Sequence, residues 1–282
     1  MSAKLEMAGW GRGCCHAAPD GGRGSPLVAG SGGQSANAPS LPEEMFANEA
    51  ILTLEGPSGA DKLPELEGVT FPGPIAEACY WDDGDVVGIQ GPVGSGKTTT
   101  VLKSRLRRAI MMPRSAIDGV RRYKVLVVRE TYRQLWSTTI PSYLETFPKQ
   151  LGSWSGGRGD PVTHVIRYDD GLGPIEFTAE FMAYGDDIIA SMRGVQTTDI
   201  WLNETDTVPV ETLTVGIGRI DRWPAREHFA GYPPELQSYG QIIGDFNAPD
   251  EDNWTFRVFH DEEERSRMAA ALSADLPEGA NP

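Results

Sequence analysis

The chain has 282 residues, 39% hydrophobic and 9% aromatic, enough for one large domain or two small ones with a real buried core. A formal net charge of −15 excludes a surface coated with basic residues for indiscriminate nucleic-acid binding, while leaving room for a local basic groove. Three cysteines, Cys14, Cys15 and Cys79, exclude a disulfide framework and fit a reducing, cytoplasmic setting, and no apolar run reaches the roughly eighteen residues of a membrane span.

Residues 1–45 are rich in Gly, Ser, Ala and Pro without apolar periodicity, the composition of a disordered tail. They carry no continuous apolar stretch of a signal peptide, and Cys14, Cys15 and His16 lack the spacing and second ligand pair of a zinc site. The folded domain is expected over 46–260; its first part, "EEMFANEAILTLEG", reads as one short helix or strand. "DVVGIQ" is a short apolar strand, "GPVGSGKTTT" a Gly-rich turn, and "KTTTVLKSRLRRAIMM" a helix with Val101, Leu102, Leu106 and Ile110 at helical spacing. "YKVLVV" reads as a strand buried on both faces. "YRQLWSTTIPSYLETF" is helical, with Pro141 expected to break or kink it. "VTHVIRY" and "PIEFTAEFMAY" alternate around "DDGLG" as a hairpin. "DDIIASMRG" is a short helix, "DIWLN" a strand, "PVETLTVGIGRI" a helix and "GQIIGDF" a buried strand. Strands alternating with helices predict an α/β fold, a mostly parallel sheet with helices on both faces and an inserted β-hairpin. Residues 261–282 are an acidic and Ala-rich segment without strand signals.

Gly91-Pro92-Val93-Gly94-Ser95-Gly96-Lys97-Thr98 matches G-x-x-x-x-G-K-[ST], with a strand before it and a helix after it. Such a loop curls its N–H groups around phosphate oxygens, and the helix N-terminus adds partial positive charge. Lys97 would reach the β- and γ-phosphates and Thr98 would ligate Mg²⁺, with Thr99 next in line, so ATP and Mg²⁺ are the expected ligands. No Asn-Lys-x-Asp guanine reader follows.

Three further segments stand downstream in a fixed order: "VVRETYRQLWSTTIPSYLE", "RGVQTTDIWLNETDTV" and "GDFNAPDEDNW". Together with the phosphate loop, over about Val86 to Phe259, they resemble the ATPase portion of the large terminase subunit, the DNA-packaging motor of tailed bacteriophages and related viruses. The resemblance implies a P-loop ATPase of the additional-strand type, working as a homo-oligomeric ring at the portal vertex of a procapsid and driving double-stranded DNA inward. It also implies the portal protein and small terminase subunit as partners, no membrane, and the cytoplasm of an infected bacterial host as the location. Glu204 would orient and polarise the attacking water, and Asn247 would sense the γ-phosphate in the coupling segment. Arg129, at a strand end, is placed for nucleotide or DNA contact.

Where such sites usually carry an Asp-Glu pair, this chain has Asn203-Glu204. An amide at 203 can accept from a metal-bound water but brings no charge, so it should weaken magnesium binding more than abolish it. Asp206 is the expected compensating acid, since Asp199 begins the strand and lies at its far end. Arg193, Arg219 and Arg222 are candidates for an arginine finger, with Arg219 or Arg222 expected to act on a neighbouring subunit. "KSRLRR" and "RSAIDGVRRYK" are possible DNA contacts, although a charge run is more often a solvated face. Tyr80 and Trp81 could stack on adenine but fit packing better, and "DDGD" reads as a polar turn. Full-length terminase large subunits also carry an RNase H-like nuclease domain; the chain leaves no room for it, so ATPase activity without DNA cleavage is expected. A P-loop kinase, a helicase-like remodeller and a non-hydrolysing regulator are the competing readings.

Overall fold

The computed structural model describes residues 14–16, 70–157, 161–263 and 266–267. The helix or strand expected at "EEMFANEAILTLEG", most of the expected tail and most of the acidic C-terminal segment lie outside the described residues. Three residues of the expected tail, Cys14–His16, form a short strand, β1. The remaining strands are β2 (Val86–Gln90), β3 (Arg121–Arg129), β4 (Gly152–Ser155), β5 (Val162–Asp169), β6 (Pro174–Ala183), β7 (Asp199–Asn203) and β8 (Ile242–Phe246). They make one sheet in the order β1-β2-β8-β7-β3-β6-β5-β4. Pairing is parallel from β1 through β6 and antiparallel at β6-β5 and β5-β4, so the expected hairpin extends an otherwise parallel sheet. The edge strand β4, "GSWS", has no apolar alternation from which it could be read.

The central strands are apolar on both faces because helices cover both. Successive side chains of β3 alternate: Val125 and Val127 join Trp201, Ile243, Leu102 and Leu106 in one core, while Leu126 and Val128 join Ile200, Leu202, Met192 and Leu213 in another. Helix α2 (Lys97–Met111) covers the first face, backed by α1 (Pro74–Trp81). The short helices α5 (Ile188–Ser191) and α6 (Glu211–Ile217) cover the second. A third apolar cluster, Phe246, Val258 and Phe259, seats α7 (Trp254–Phe259) beside the phosphate-loop strand.

Pro141 does not break the segment after β3. A capping box at Thr131 and Gln134 starts α3 (Tyr132–Gln134), a π-helical segment runs through Leu135–Thr139, and α4 (Ile140–Thr146) continues it. Pro141 lies in the first turn of α4, and the widened turn before it takes up the i→i−4 bond that a proline cannot make.

Most of the basic residues in the two runs are engaged within the molecule. Arg105 and Arg108 are buried against Asp199, and Arg107 pairs with Asp83. In the second stretch Arg121 binds Asp170, Arg122 binds Asp118, and Lys124 lies over the Trp223 ring. The positive charge of both runs is largely spent inside the molecule. Tyr80 and Trp81 pack around the Arg107 guanidinium, at 5.6 and 5.4 Å from ring centre to carbon, a packing role and not a base platform.

Candidate active site

Strand β2 delivers the chain into the loop 91–96, whose backbone needs Gly94 at φ +79° and Gly96 at φ +81°. Both values are left-handed and favour glycine. A side chain at Gly96 would also meet the Pro72 ring at 3.1 Å. The Ser95 hydroxyl is buried without a hydrogen-bond partner, and the space beside Gly94 is open. An open, glycine-lined turn with a spare hydroxyl at a fifteen-residue helix N-terminus fits a phosphate chain.

Lys97 folds over its own loop, donating from Nζ to the carbonyl oxygens of Gly91 (2.6 Å) and Pro92 (2.9 Å) and to Asn247 Oδ1 (3.2 Å). Burial lowers its pKa, and the carboxylates of Asp245, Asp206 and Glu204 push the other way. Asn247, two residues past Asp245 and just beyond the end of β8, therefore touches the residue that would reach the terminal phosphates.

Thr98 donates from Oγ1 to Asp245 Oδ2 at 2.9 Å. Asp245 is buried, and it also accepts from the Trp201 indole (2.7 Å) and from Asn203 Nδ2 (3.1 and 3.2 Å). Burial raises its pKa, and these three donors with Lys97 counter only part of that. The register explains the meeting: Asn203 of β7 lies directly beside Asp245 of β8. Asn203 Oδ1 is engaged elsewhere, accepting from Thr139 on the π segment at 2.6 Å. Asp245 thus holds the position expected of Asp206. Asp206 is half-buried with one carboxylate oxygen unpartnered, and its pKa is raised by burial first and by Glu204 and Asp245 as well.

Glu204 turns the chain out of β7 at φ 51°, ψ 59°, a left-handed conformation uncommon for a non-glycine residue. Its carboxylate is half-exposed and is held by Arg129 Nη2 at 2.8 Å, while Arg129 Nη1 donates to the Asn203 carbonyl at 2.9 Å. Arg129 is buried, and both of its terminal nitrogens are engaged at the Asn203-Glu204 corner, where they hold the Glu204 carboxylate. The loop, Asn203, Glu204, Asp245 and Asn247 line one cleft of about 380 Å³, with Ser142 and Glu145 of α4 on its far wall. A second cleft of about 350 Å³ opens behind Gly96, between Thr99 and Lys103 on one side and Phe71 and Pro72 on the other.

Arg219 and Arg222 lie elsewhere. Thr197, ahead of β7, donates its N–H to the Arg219 carbonyl, and Arg222 donates its own N–H to the Thr197 carbonyl. Glu204 follows the other end of that strand, about 16 Å away at the rise of an extended chain. Neither arginine lines the cleft. Arg193 is exposed after α5 and does not line the cleft either. Among the described residues no three His, Cys, Asp or Glu side chains gather as a metal cluster, and no helix is long and apolar enough to cross a membrane.

One strand, β8, intervenes between the phosphate-loop strand and the strand that leads into Glu204, and this defines a P-loop NTPase fold of the additional-strand kind. Solved structures to which the chain is similar include large terminases of bacteriophage D6E and Thermus phage P74-26. Large terminase from bacteriophage D6E is 12% identical with a TM-score of 0.43, over 70% of this chain and 44% of that one. The same protein in complex with ADP gives 14%, 0.40, 70% and 43%. The large terminase ATPase domain of Thermus phage P74-26 gives 16%, 0.33, 72% and 88%. The matched region spans under half the length of the D6E proteins. No protein-family model and no curated protein matches the chain.

Proposed function

We propose that the chain is the ATP-hydrolysing part of a terminase large subunit, converting ATP turnover into movement of double-stranded DNA into a procapsid. The observation that carries this reading is the convergence of the phosphate loop, Glu204 and Asn247 on one cleft from three separate elements. A binding module needs the loop alone. A hydrolase also needs a carboxylate beside the terminal phosphate, and a motor needs a residue that feels that phosphate leave.

In this proposal Lys97 exchanges its loop carbonyls for β- and γ-phosphate oxygens, and Asn247 loses its contact when Lys97 moves. Glu204, held by Arg129, orients the attacking water. Mg²⁺, when bound, neutralises charge on the β- and γ-phosphates; the Thr98 hydroxyl is the ligand that the chain offers it. Phe71, Pro72, Thr99 and Lys103 of the second cleft are the residues that would receive the base. Arg219 and Arg222 act only between neighbouring subunits of a ring, and portal and small terminase subunit supply the context at the portal vertex, in the cytoplasm of the infected host.

The test is ATP turnover by the wild type, Lys97→Ala and Glu204→Gln, with and without portal and DNA. Stimulated turnover that both variants abolish supports the proposal. Tight ATP binding without turnover, indifferent to Glu204→Gln, would replace the motor by a regulator, and phosphate transfer to a metabolite would replace it by a kinase. Alanine at both Arg219 and Arg222 is expected to slow the assembled motor and leave the isolated subunit unchanged.

A further inference from the structure

We propose that the acid of the magnesium site has moved one strand over in this chain: Asp245, at the end of β8, does the work that an aspartate at position 203 of β7 would otherwise do. This rests on the Mg²⁺·ATP reading of the cleft, and adds to it which side chain carries the metal-site charge.

The first argument is the proton of Thr98. A hydroxyl has one hydrogen and two lone pairs, and the hydrogen of Thr98 is committed to Asp245 Oδ2 at 2.9 Å. The lone pairs are then left for a cation in the phosphate loop, and an acceptor-only carboxylate fixes that orientation. Asn203 cannot do this. Its Nδ2 faces Asp245, its Oδ1 accepts from Thr139, and it makes no hydrogen bond to Thr98.

The second argument is charge. Every hydrogen-bond donor on Asp245 is neutral: Thr98, Trp201 and Asn203. Among the described residues it has no ion pair, although it is buried, and Lys97 nearby spends its own hydrogens on Gly91, Pro92 and Asn247. A buried carboxylate held only by neutral donors is costly, and a cation at the loop offsets that cost.

The third argument concerns position 203 itself. An aspartate there would put a second carboxylate oxygen where Nδ2 now sits, 3.1 Å from Asp245 Oδ1. Two carboxylates at that distance cannot both stay ionised without a cation between them. With the acid at 245, the neighbouring strand must offer a donor, and Asn203 does. The amide follows from the relocated acid and is not the mark of a dead site.

The experiment measures binding of a fluorescent ATP analogue to the full chain in Mg²⁺ and in EDTA, for the wild type, Lys97→Ala, Asp245→Asn and the exchange variant Asn203→Asp/Asp245→Asn, each checked by thermal melting. The wild type should bind more tightly with Mg²⁺. Asp245→Asn should lose about tenfold or more of the gain in affinity that Mg²⁺ gives over EDTA. The exchange variant should recover most of the loss. A wild-type Mg²⁺ response in Asp245→Asn, or a folded exchange variant without one, overturns the assignment. Should Asp245→Asn not fold, the exchange variant decides alone. If the wild type binds no nucleotide and Lys97→Ala changes nothing, the nucleotide-site reading itself fails and takes the relocated acid with it. If Lys97-dependent Mg²⁺·nucleotide binding stands and Asp245 is indifferent, only the relocation fails.

Discussion

Two aspartates, one at each end of the central sheet, are equally hidden and opposite in character. Asp199 opens β7 at the edge away from the phosphate loop, and Asp245 sits near the end of β8 beneath it. Both reach toward α2. Asp199 accepts from Arg105 (2.6 Å), from Arg108 twice (2.7 and 3.0 Å), from the Tyr123 hydroxyl and from the Gln241 backbone N–H (2.9 Å). Burial alone would raise its pKa, but Arg108 and Arg105 outweigh burial and hold it below the usual carboxylate range. Asp245 has only neutral donors, and burial wins. A saturated acid locks a helix to a sheet. An acid short of positive charge at the mouth of a phosphate loop is in a position to share a cation.

The contrast can be broken from either end. The largest expected effect is on chemistry: Glu204→Gln should reduce ATP turnover about a thousandfold while nucleotide still binds, as measured by single-turnover hydrolysis beside equilibrium binding. At the locked end, Asp199→Ala strands two buried guanidinium groups, and urea unfolding should show a loss of about 3–5 kcal/mol. The same change should leave nucleotide affinity near wild type at temperatures where the protein is folded. Arg129→Ala releases the Glu204 carboxylate and costs a charged hydrogen bond of about 1.5–3 kcal/mol. A positioning role predicts that kcat falls with little change in KM; a role in nucleotide contact would move KM instead.

The smallest effect lies in the hairpin, away from both acids. His164 is buried beside the Tyr143 hydroxyl (2.9 Å), and burial lowers its pKa to about 4. The unfolded chain takes up that proton first, near its ordinary value of about 6.5. Stability is therefore complete above that value and declines as pH falls toward 4, by about 1 kcal/mol between pH 6.5 and 5.5. Urea titrations of wild type and His164→Gln at those two pH values should show the slope in the first protein and its loss in the second.

What could be read in the sequence was local. The phosphate loop is contiguous and its strand and helix adjoin it, so residues 86–111 carry their own context. Glu204 follows from a single strand end. The relation between Asn203 and Asp245 depends on a strand register across forty-two residues of chain, and nothing in either segment states it. The same holds for Arg129, whose partner Glu204 follows the end of a neighbouring strand, and for Arg105 and Arg108, which resemble a solvated basic face until Asp199 is placed among them. Phe71, the aromatic residue of the cleft behind Gly96, is followed by Pro72, Gly73 and Pro74 and carries no periodic signal.

The π segment between α3 and α4 has a consequence for how this wall of the cleft could change. A π turn holds one residue more than the α turn it replaces, and each residue of an α-helix advances the side chains by about 100°. Deleting one residue from Leu135–Thr139 would restore an ordinary helix and swing Ser142 and Glu145 about a quarter-turn away from the phosphate loop. Thr139 would leave Asn203 in the same stroke. The extra residue acts as a phase setting: it dials one face of a surface helix onto the nucleotide, and a single-codon deletion would dial it off.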